Sequence, residues 1–364
     1  MFKEMEFYNP TKNGDLEKIK LFTDAYRGSQ LFKEINVQRD NHKAVSALFT
    51  DIDDTFFKEG KENSMKELTD NLKENNVPLI AVTGNDYKRI WDRIKSGELP
   101  YFDVIVGSVG TEIFFLHKNE DNTFEYKRDA YFEDMLSGGN FDRREVVGKS
   151  IELIETLSGE MPECEFNFQN TQAEESFLLN QSVDHQPYKV SFYFFADEEL
   201  LDKIVEIASG KFSDKSIIIC EEIGYNSKLS AEDKKRKYCL DIVPLTKGDA
   251  VNYLSKMTGI EQGVVSGDSG NDVRMLLDSS NLNAVLVGGY KNEALKNIKK
   301  EIEDSPHSNW KHGKRSFQKI VRADGTVKNI YIEPEPNKRQ ASESILRAAS
   351  ILMRAEAIFK KKKE

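Results

Sequence analysis

The sequence predicts an α/β fold in which a Rossmann-like, doubly wound parallel sheet carries an inserted α/β (α+β) cap domain. Short apolar runs alternate with segments of helical periodicity, the pattern of parallel strands joined by helices. Several of these runs end in Asp, Thr or Gly, as expected where the strands of an open sheet meet a ligand. The chain has 364 residues, which is long for one domain, so we expect two units with separate cores.

The composition excludes several classes of protein. A formal net charge of −10 argues against a general nucleic-acid surface, because such surfaces carry an excess of Lys and Arg. No stretch approaches the roughly 20 apolar residues of a membrane span, and the start MFKEMEFYNPTKNGD lacks the apolar centre of a signal peptide. Cys164, Cys220 and Cys239 show no close spacing and leave one cysteine over, which fits a reducing compartment. We therefore expect a cytoplasmic protein that binds neither nucleic acid nor membrane.

The first strand is predicted in SALFTDIDDTFF, residues 46–57. Its apolar residues indicate a short buried strand that presents Asp51 at the carboxyl edge of the sheet, with Asp53 nearby. Two carboxylates so placed can divide the work of group transfer, one as nucleophile and metal ligand, the other as proton donor and acceptor. Taken alone, the stretch is equally compatible with a strand end followed by a capping Asp and a turn.

A helical pattern at 64–76 and the apolar run that follows it complete a βαβ unit. The run ends in Thr83, Gly84 and Asn85, and parallel pairing places Thr83 beside Asp51 at one sheet edge. A hydroxyl there can bond a phosphoryl oxygen, and a glycine lets the backbone approach it. In isolation, a Thr-Gly turn without function is the commoner interpretation.

A helix at 87–97 and two strands joined by a glycine-containing turn at 101–116 come next. From about residue 118 the chain changes character and predicts a second α/β unit with antiparallel pairs, inserted at about 118–237. The elements predicted there are a helix at 143–159, strands at 163–169, 186–195 and 216–222, and a helix at 197–210.

Lys247 lies just before a helix start marked by Gly248 and Asp249. A helix amino end and an ammonium group together favour an anion, although a lone lysine at such a place is usually solvated. The functional interpretation of Lys247 is favoured by the segment GVVSGDSGNDVRMLL, which predicts a buried strand followed by a loop that carries Asp268 and Asp272.

Carboxylates from the ends of different strands are the ligands that a hard cation such as Mg²⁺ prefers, with room for water and a substrate phosphate. A turn that merely caps a helix is the competing interpretation, but the spacing of Asp268 and Asp272 around Ser-Gly-Asn favours a metal site.

The carboxyl-terminal part predicts a further strand and helix, then a hairpin and a final helix. The segments are 283–295 for the strand and helix, 319–332 for a hairpin turning at Asp324 and Gly325, and 333–337 for a stiff linker. Ile345, Ala349, Leu352 and Phe359 fall on one face of the final helix. We expect that face to pack on its own domain rather than on a partner or a membrane.

Taken in order, DIDDT, the strand ending in Thr83, Lys247 and GDSGND resemble the four motifs of haloacid dehalogenase superfamily phosphatases. The segments VGSVGTEIFF, QPYKVSFYFF and CLDIVP are similar to the subclass IIB branch with a large α/β cap. That branch contains sucrose-phosphate phosphatase, kanosamine-phosphate phosphatase and related sugar-phosphate phosphatases. The likeness covers about residues 44–318.

The spacing of the motifs agrees with this branch. Thr55 and Thr83 are 28 positions apart, enough for one helix, whereas Thr83 and Lys247 are 164 positions apart, enough for a whole cap. This argues against the mutase-like branch, whose cap lies in the earlier gap. Asp53 argues against a dehalogenase, which needs no proton for its leaving group.

The resemblance implies Mg²⁺-dependent hydrolysis of a small sugar phosphate through an aspartyl-phosphate, with Asp51 as nucleophile and Asp53 as general acid and base. It implies that Thr83 and Lys247 stabilise the phosphoryl oxygens. The metal would be held by Asp51, Asp268 and the backbone carbonyl of Asp53, with Asp272 coordinating through water or orienting Lys247.

The resemblance also implies a substrate site. The residues expected to bind substrate are Thr83, Gly84, Asn85, Asn271, Gln186 and Lys189. Lys189 could equally be an exposed strand lysine. Glu112 is expected to be structural, at the hinge of the cap.

Together these interpretations divide the chain into an amino-terminal extension, a core in two parts, a cap and a carboxyl-terminal extension. The ranges are 1–44, 45–117 with 238–318, 118–237, and 319–364. Two alternatives stay open: a catalytically retired sugar-phosphate-binding regulatory protein, and a phosphotransferase that uses the same site. The oligomeric state is not predicted.

Overall fold

The computed structural model describes two sheets and the helices that cover them. The described residues are 24–41, 43–139, 141–160, 186–221, 235–279, 282–304, 317–321 and 326–349. The strands are β1 (Ser46–Thr50), β2 (Leu79–Val82), β3 (Val104–Gly107), β4 (Glu112–Lys118), β5 (Phe124–Arg128), β6 (Val190–Ala196), β7 (Ser216–Glu221), β8 (Arg236–Val243), β9 (Gln262–Gly267), β10 (Asn283–Leu286), β11 (Phe317–Val321) and β12 (Val327–Ile332). The helices are α1 (Gln30–Asp40), α2 (Glu62–Glu74), α3 (Tyr87–Lys95), α4 (Ala130–Ser137), α5 (Arg143–Glu160), α6 (Glu198–Lys211), α7 (Lys247–Thr258), α8 (Val273–Asp278) and α9 (Asn292–Asp304), and residues 342–349 are also helical.

Among the described residues, the larger sheet has nine strands in the order β11-β12-β10-β9-β1-β2-β3-β4-β5. The six from β12 to β3 are parallel to their neighbours, and β11, β4 and β5 pair antiparallel. The chain runs outward from β1 through β2 and β3, then returns to β9 on the other side of β1. This reversal of strand order is where open α/β sheets bind ligands, and it lies between the ends of β1 and β9.

Alternate residues of the central strands enter two different cores, one on each face of the larger sheet. Phe49 of β1 packs with Leu254 of α7 and Ile298 of α9 on one face. Leu48 packs with Leu68 of α2 and Ile90 of α3 on the other. Helices therefore cover both faces, which confirms the predicted doubly wound α/β class.

The smaller sheet is antiparallel, in the order β6-β8-β7. Helices α5 and α6 pack on one of its faces, around Phe192, Phe194 and Leu240. Side chains alternate along a strand, so Ser191 and Asp241 point to the opposite face. That face lies against the carboxyl edge of the larger sheet, because Ile218 and Val243 pack on Val109. The strand predicted at 163–169 lies outside the described residues.

Strand pairing places two segments differently from the expected ranges. We expected the inserted unit to begin at about 118, but β5 continues the larger sheet by pairing with β4. We expected 319–364 to form a separate extension, but β12 pairs parallel with β10. The pairing of β12 with β10 joins segments that are distant in sequence, and the division into domains stays a prediction.

Both predicted extensions contribute to the cores where they are described. Leu31 and Ile35 of α1 are buried in the first core. The predicted hairpin is present as the β11–β12 pair, although its turn lies outside the described residues. Ile345 is buried against the same core as Leu48, so the described part of the final helix packs on its own domain as expected. Leu352 and Phe359 lie outside the described residues.

Within the described ranges, no helix is long and apolar enough to cross a membrane. Cys220 and Cys239 are free thiols directly opposite each other on β7 and β8. Cys164 lies outside the described residues.

Candidate active site

Three buried carboxylates meet where the strand order reverses. Asp51 follows β1, and Asp268 and Asp272 follow β9, whose last residues pair with the end of β1. One oxygen from each carboxylate lies within 4.8 Å of the others. Gly267 makes this possible, because a Cβ there would lie 2.3 Å from the Cβ of Asp272. The structure thus brings together the carboxylates of three of the four residues expected at the metal, and the fourth is Asp53.

Lys247 is fully buried and links the acid that follows β1 to an acid that follows β9. It begins α7, whose amino end is fixed by a capping box between Thr246 and Asp249. Its Nζ donates to Asp51 Oδ1 at 2.8 Å, to Asp272 Oδ1 at 2.7 Å and to Asn271 Oδ1 at 3.1 Å. Burial alone would lower the pKa of Lys247, but the adjacent carboxylates hold it above its usual value. The lysine is therefore a fixed cation.

Asp272 orients both the lysine and the loop. Its Oδ1 accepts from Lys247, while its Oδ2 accepts the backbone N–H groups of Asp268 and Ser269 at 3.0 and 3.1 Å. The loop also supports the smaller sheet, because a Cβ at Gly270 would lie 2.5 Å from the carbonyl oxygen of Ile219 in β7. The cap strand therefore rests directly on the acidic loop.

Burial changes the protonation of the cluster. It raises the pKa of Asp51 well above the ordinary value, with Lys247 opposing the shift. It raises the pKa of Asp268 from 3.8 to about 7, although Lys291 and a 2.7 Å hydrogen bond from Thr55 Oγ1 oppose it. Lys247 bonds directly to this cluster, and its single positive charge does not balance the charge of three buried carboxylates. The oxygen donors and their charge deficit fit a hard divalent cation such as Mg²⁺.

Asp53 stands outside this cluster, with a side chain that is 51% exposed. Its Oδ1 accepts from Arg93 Nη1 at 2.7 Å, and its Oδ2 accepts from Asn85 Nδ2 at 2.9 Å. Its carboxylate is thus separate from the three clustered acids. The expectation that its backbone carbonyl binds metal stays a prediction.

The residues expected around the phosphoryl group lie together. Thr83 is buried, and its hydroxyl oxygen accepts the N–H of Asn85 at 3.2 Å, so its own proton remains available to an anion. Gly84 lies beside Asn271, whose amide nitrogen would be 3.4 Å from a Cβ at that glycine. The loop after β2 and the loop after β9 therefore face each other across the acids.

Lys189 of the cap reaches the same loop. It is 9% exposed, so the alternative of an exposed strand lysine is wrong. Its Nζ lies 3.4 Å from both the Gly84 carbonyl oxygen and Asp241 Oδ2. Asp241 is itself held by Ser191, whose hydroxyl donates to Oδ1 at 2.5 Å. Gln186 contacts Lys189 through its backbone carbonyl.

Glu112 ties the start of α3 to the turn after β3. Its Oε1 accepts from Ser108 Oγ at 2.6 Å and from the backbone N–H of Tyr87 at 3.0 Å. Burial raises its pKa. These contacts agree with the structural part expected of it.

Sequence reasoning missed three charged residues of the site: Arg93, Asp241 and Lys291. Lys291 lies 3.6 and 3.7 Å from the carboxylates of Asp54 and Asp268. Asp241 left a usable signal, because a carboxylate inside the apolar segment CLDIVP indicates a buried polar contact. No such signal marks Arg93, because it is one of several cationic residues on a predicted helix.

Comparisons with known proteins agree with this geometry. The family model for sucrose-6F-phosphate phosphohydrolase matches residues 44–316. Kanosamine-6-phosphate phosphatase of Bacillus subtilis (strain 168) is 27% identical over 281 residues, which cover 72% of this chain and 88% of that protein.

A solved structure with a TM-score above 0.5 shows the same fold. The sucrose-phosphatase from Synechocystis sp. PCC6803, in complex with sucrose and phosphate, has 18% identity and a TM-score of 0.54, covering 84% of this chain and 97% of that one. A haloacid dehalogenase subclass IIB sugar phosphatase has 13% identity and a TM-score of 0.39, covering 69% and 91%. The family match spans well over half of the chain. The protein therefore belongs to the sucrose-6F-phosphate phosphohydrolase family, phosphoric monoester hydrolases of the haloacid dehalogenase superfamily.

Proposed function

We propose that this chain is a Mg²⁺-dependent phosphatase that hydrolyses a small sugar phosphate through an aspartyl-phosphate on Asp51. The observation that carries the proposal is the buried cluster in which Lys247 bonds both Asp51 and Asp272 while Asp268 faces them. The similarity of this chain to a kanosamine-6-phosphate phosphatase and a sucrose-phosphatase supports a sugar as the leaving group.

The chemistry takes two steps. The Asp51 carboxylate attacks phosphorus, the bond from phosphorus to the sugar oxygen breaks, and Asp53 gives that oxygen a proton. Water then attacks phosphorus, Asp53 takes its proton, and the Asp51–phosphate bond breaks to release inorganic phosphate. Thr83 and Lys247 donate to the equatorial oxygens in both steps.

Asp51 and Asp268 would hold Mg²⁺ together with the Asp53 backbone carbonyl, and Asp272 would serve mainly to orient Lys247. When bound, the metal neutralises charge on the phosphoryl group and the nucleophile. A competing regulatory role is disfavoured, because a retired protein has no need to keep Asp51, Asp53 and Lys247 together. A phosphotransferase would use the same residues.

The test is phosphate release with Mg²⁺ across kanosamine 6-phosphate, sucrose 6F-phosphate, trehalose, glucose and mannose 6-phosphates. Turnover of one or more members names the substrate class. Adding free sugar acceptors separates the alternatives, because a phosphotransferase forms a new sugar phosphate and less inorganic phosphate. Absence of turnover, with tight binding of one compound, would favour the regulatory role.

Metal removal is expected to destabilise the protein in a pH-dependent way. The raised folded pKa of Asp268, about 7 against 3.8, contributes stability that is present below about pH 4 and is lost as pH rises through about 7. Mg²⁺ needs the ionised carboxylates, so it should raise the melting temperature more at about pH 8 than at about pH 5.5. Equal shifts at both pH values would contradict a carboxylate site, and Asp268→Asn should abolish the shift.

Lys189→Met is expected to impair recognition of the sugar phosphate. Loss of a charge-assisted hydrogen bond costs about 1.5–3 kcal/mol, which corresponds to a KM increase of roughly 10- to 100-fold. Turnover of p-nitrophenyl phosphate, which has no sugar, should change less than about 3-fold. The matched control is Lys203→Met, at an exposed position on α6. An unchanged KM for the sugar phosphate would remove Lys189 from the substrate site.

A further inference from the structure

Both oxygens of the Asp53 carboxylate accept hydrogen bonds from residues that follow β2. Arg93 Nη1 donates to Oδ1 at 2.7 Å, and Asn85 Nδ2 donates to Oδ2 at 2.9 Å. Two donors on opposite oxygens fix both the position and the plane of a carboxylate that is otherwise half exposed. Its orientation therefore depends on α3 and the loop before it.

Arg93 is itself held rigidly. Its Nε and Nη2 both donate to Glu98 Oε1, at 3.0 and 2.8 Å, and its guanidinium lies 5.1 Å from the ring centroid of Phe57. Only 15% of its side chain is exposed. A planar guanidinium fixed on one side by a carboxylate and on one face by a ring presents its remaining N–H group in a set direction.

This arrangement exceeds what a surface ion pair requires for stability. Exposed ion pairs contribute little to stability because solvent screens them and the side chains lose entropy. Arg93 instead directs its remaining N–H donor to Asp53, which follows Asp51 by two residues but lies outside the acid cluster. Arg93 and Asp53 both line an open cleft beside α3.

We propose that Arg93 is a positioning residue that aims the Asp53 carboxyl at the oxygen of the departing sugar. The proposal rests on the function proposed above, in which Asp53 transfers the proton. Its consequence is specific to the leaving group. A sugar alkoxide needs a proton as it leaves, whereas p-nitrophenolate leaves without one, so misplacing Asp53 should slow phosphoryl transfer to Asp51 from the sugar ester only. Hydrolysis of the phosphoenzyme also uses Asp53 and is common to both esters, so the first step is the one to measure.

The experiment compares wild type, Arg93→Gln, Arg93→Lys and the control Lys95→Gln in single-turnover release of the leaving group, with enzyme in excess, from the best sugar phosphate and from p-nitrophenyl phosphate. Lys95 is exposed on the same helix, where its Nζ pairs with Asp92. We expect Arg93→Gln to lower the rate of this first step about 10- to 100-fold for the sugar phosphate, within the range of general acid catalysis, and less than about 3-fold for p-nitrophenyl phosphate. Arg93→Lys should recover part of the loss, and Lys95→Gln should match wild type. Equal losses on both esters, or no loss on either, would overturn the proposal.

Asp53→Asn in the same two assays separates this inference from the function beneath it. If Asp53→Asn slows the sugar phosphate selectively and Arg93→Gln does not, the positioning role fails while the phosphatase mechanism stands. If Asp53→Asn shows no selectivity for the leaving group, the acid role of Asp53 fails and the inference fails with it.

Discussion

Asp51→Asn is expected to abolish turnover and leave the fold intact. The amide cannot attack phosphorus, and loss of a catalytic nucleophile costs about 10⁶-fold in kcat in a well-studied hydrolase. The amide oxygen can still accept the bond from Lys247, and the change removes one negative charge from a cluster where burial already raises the pKa of Asp51. Stability without metal should therefore not fall.

Two measurements check this prediction: phosphate release over long incubation, and thermal unfolding of both proteins in a chelator. Asp278→Asn is a matched control, because that acid lies at the exposed end of α8, where it pairs with Arg274. Its activity should equal that of the wild type. Retained turnover in a well-folded Asp51→Asn protein would contradict the mechanism.

Lys247→Met is expected to damage both stability and catalysis. Removing one partner of a buried ion pair leaves an uncompensated charge and typically costs about 3–5 kcal/mol in the free energy of unfolding. Here Asp51 and Asp272 both lose their shortest contact with a cation. Turnover should fall by about 10²- to 10³-fold, the cost of losing one donor to a transition-state oxygen.

A second substitution separates the two effects. Lys247→Met with Asp272→Asn removes one of the stranded charges, so it should recover stability in urea unfolding without recovering turnover. The single variant should also be more stable at low pH, where its remaining carboxyls can hold protons. The control is Lys256→Met, at an exposed position on α7. A single variant as stable as wild type would show that the cluster does not depend on the lysine.

The ends of the central strands were predictable because parallel pairing carries them to one edge of the sheet. Asp51, Thr83 and Asp268 each follow an apolar run, so their meeting follows from the βαβ pattern. Lys247 was predictable as the start of a helix beside that edge. What the pattern could not give was the direction of its ammonium group, which depends on how α7 packs.

The directions in which the side chains of Arg93 and Asp241 point could not be predicted from sequence. Arg93 lies two turns into α3, and only the packing of that helix turns its guanidinium toward Asp53 rather than toward solvent. Asp241 lies in a strand covered on both faces, so alternation does not tell which face carries the carboxylate. The pairing of β12 with β10 joins segments that are distant in sequence, whereas β5 pairs with the strand that directly precedes it.

The most direct test is detection of the phosphoenzyme. The Asp53→Asn protein is mixed with Mg²⁺ and phosphorus-labelled p-nitrophenyl phosphate, whose leaving group needs no proton from Asp53. It is quenched in acid within its first turnover and digested, and its peptides are mapped by mass spectrometry. Because hydrolysis of the intermediate needs the Asp53 base, the label should accumulate on the peptide that contains Asp51 and be absent when Asp51 is replaced by asparagine. Steady release of phosphate with no label on that peptide, or label on another residue, would contradict the account.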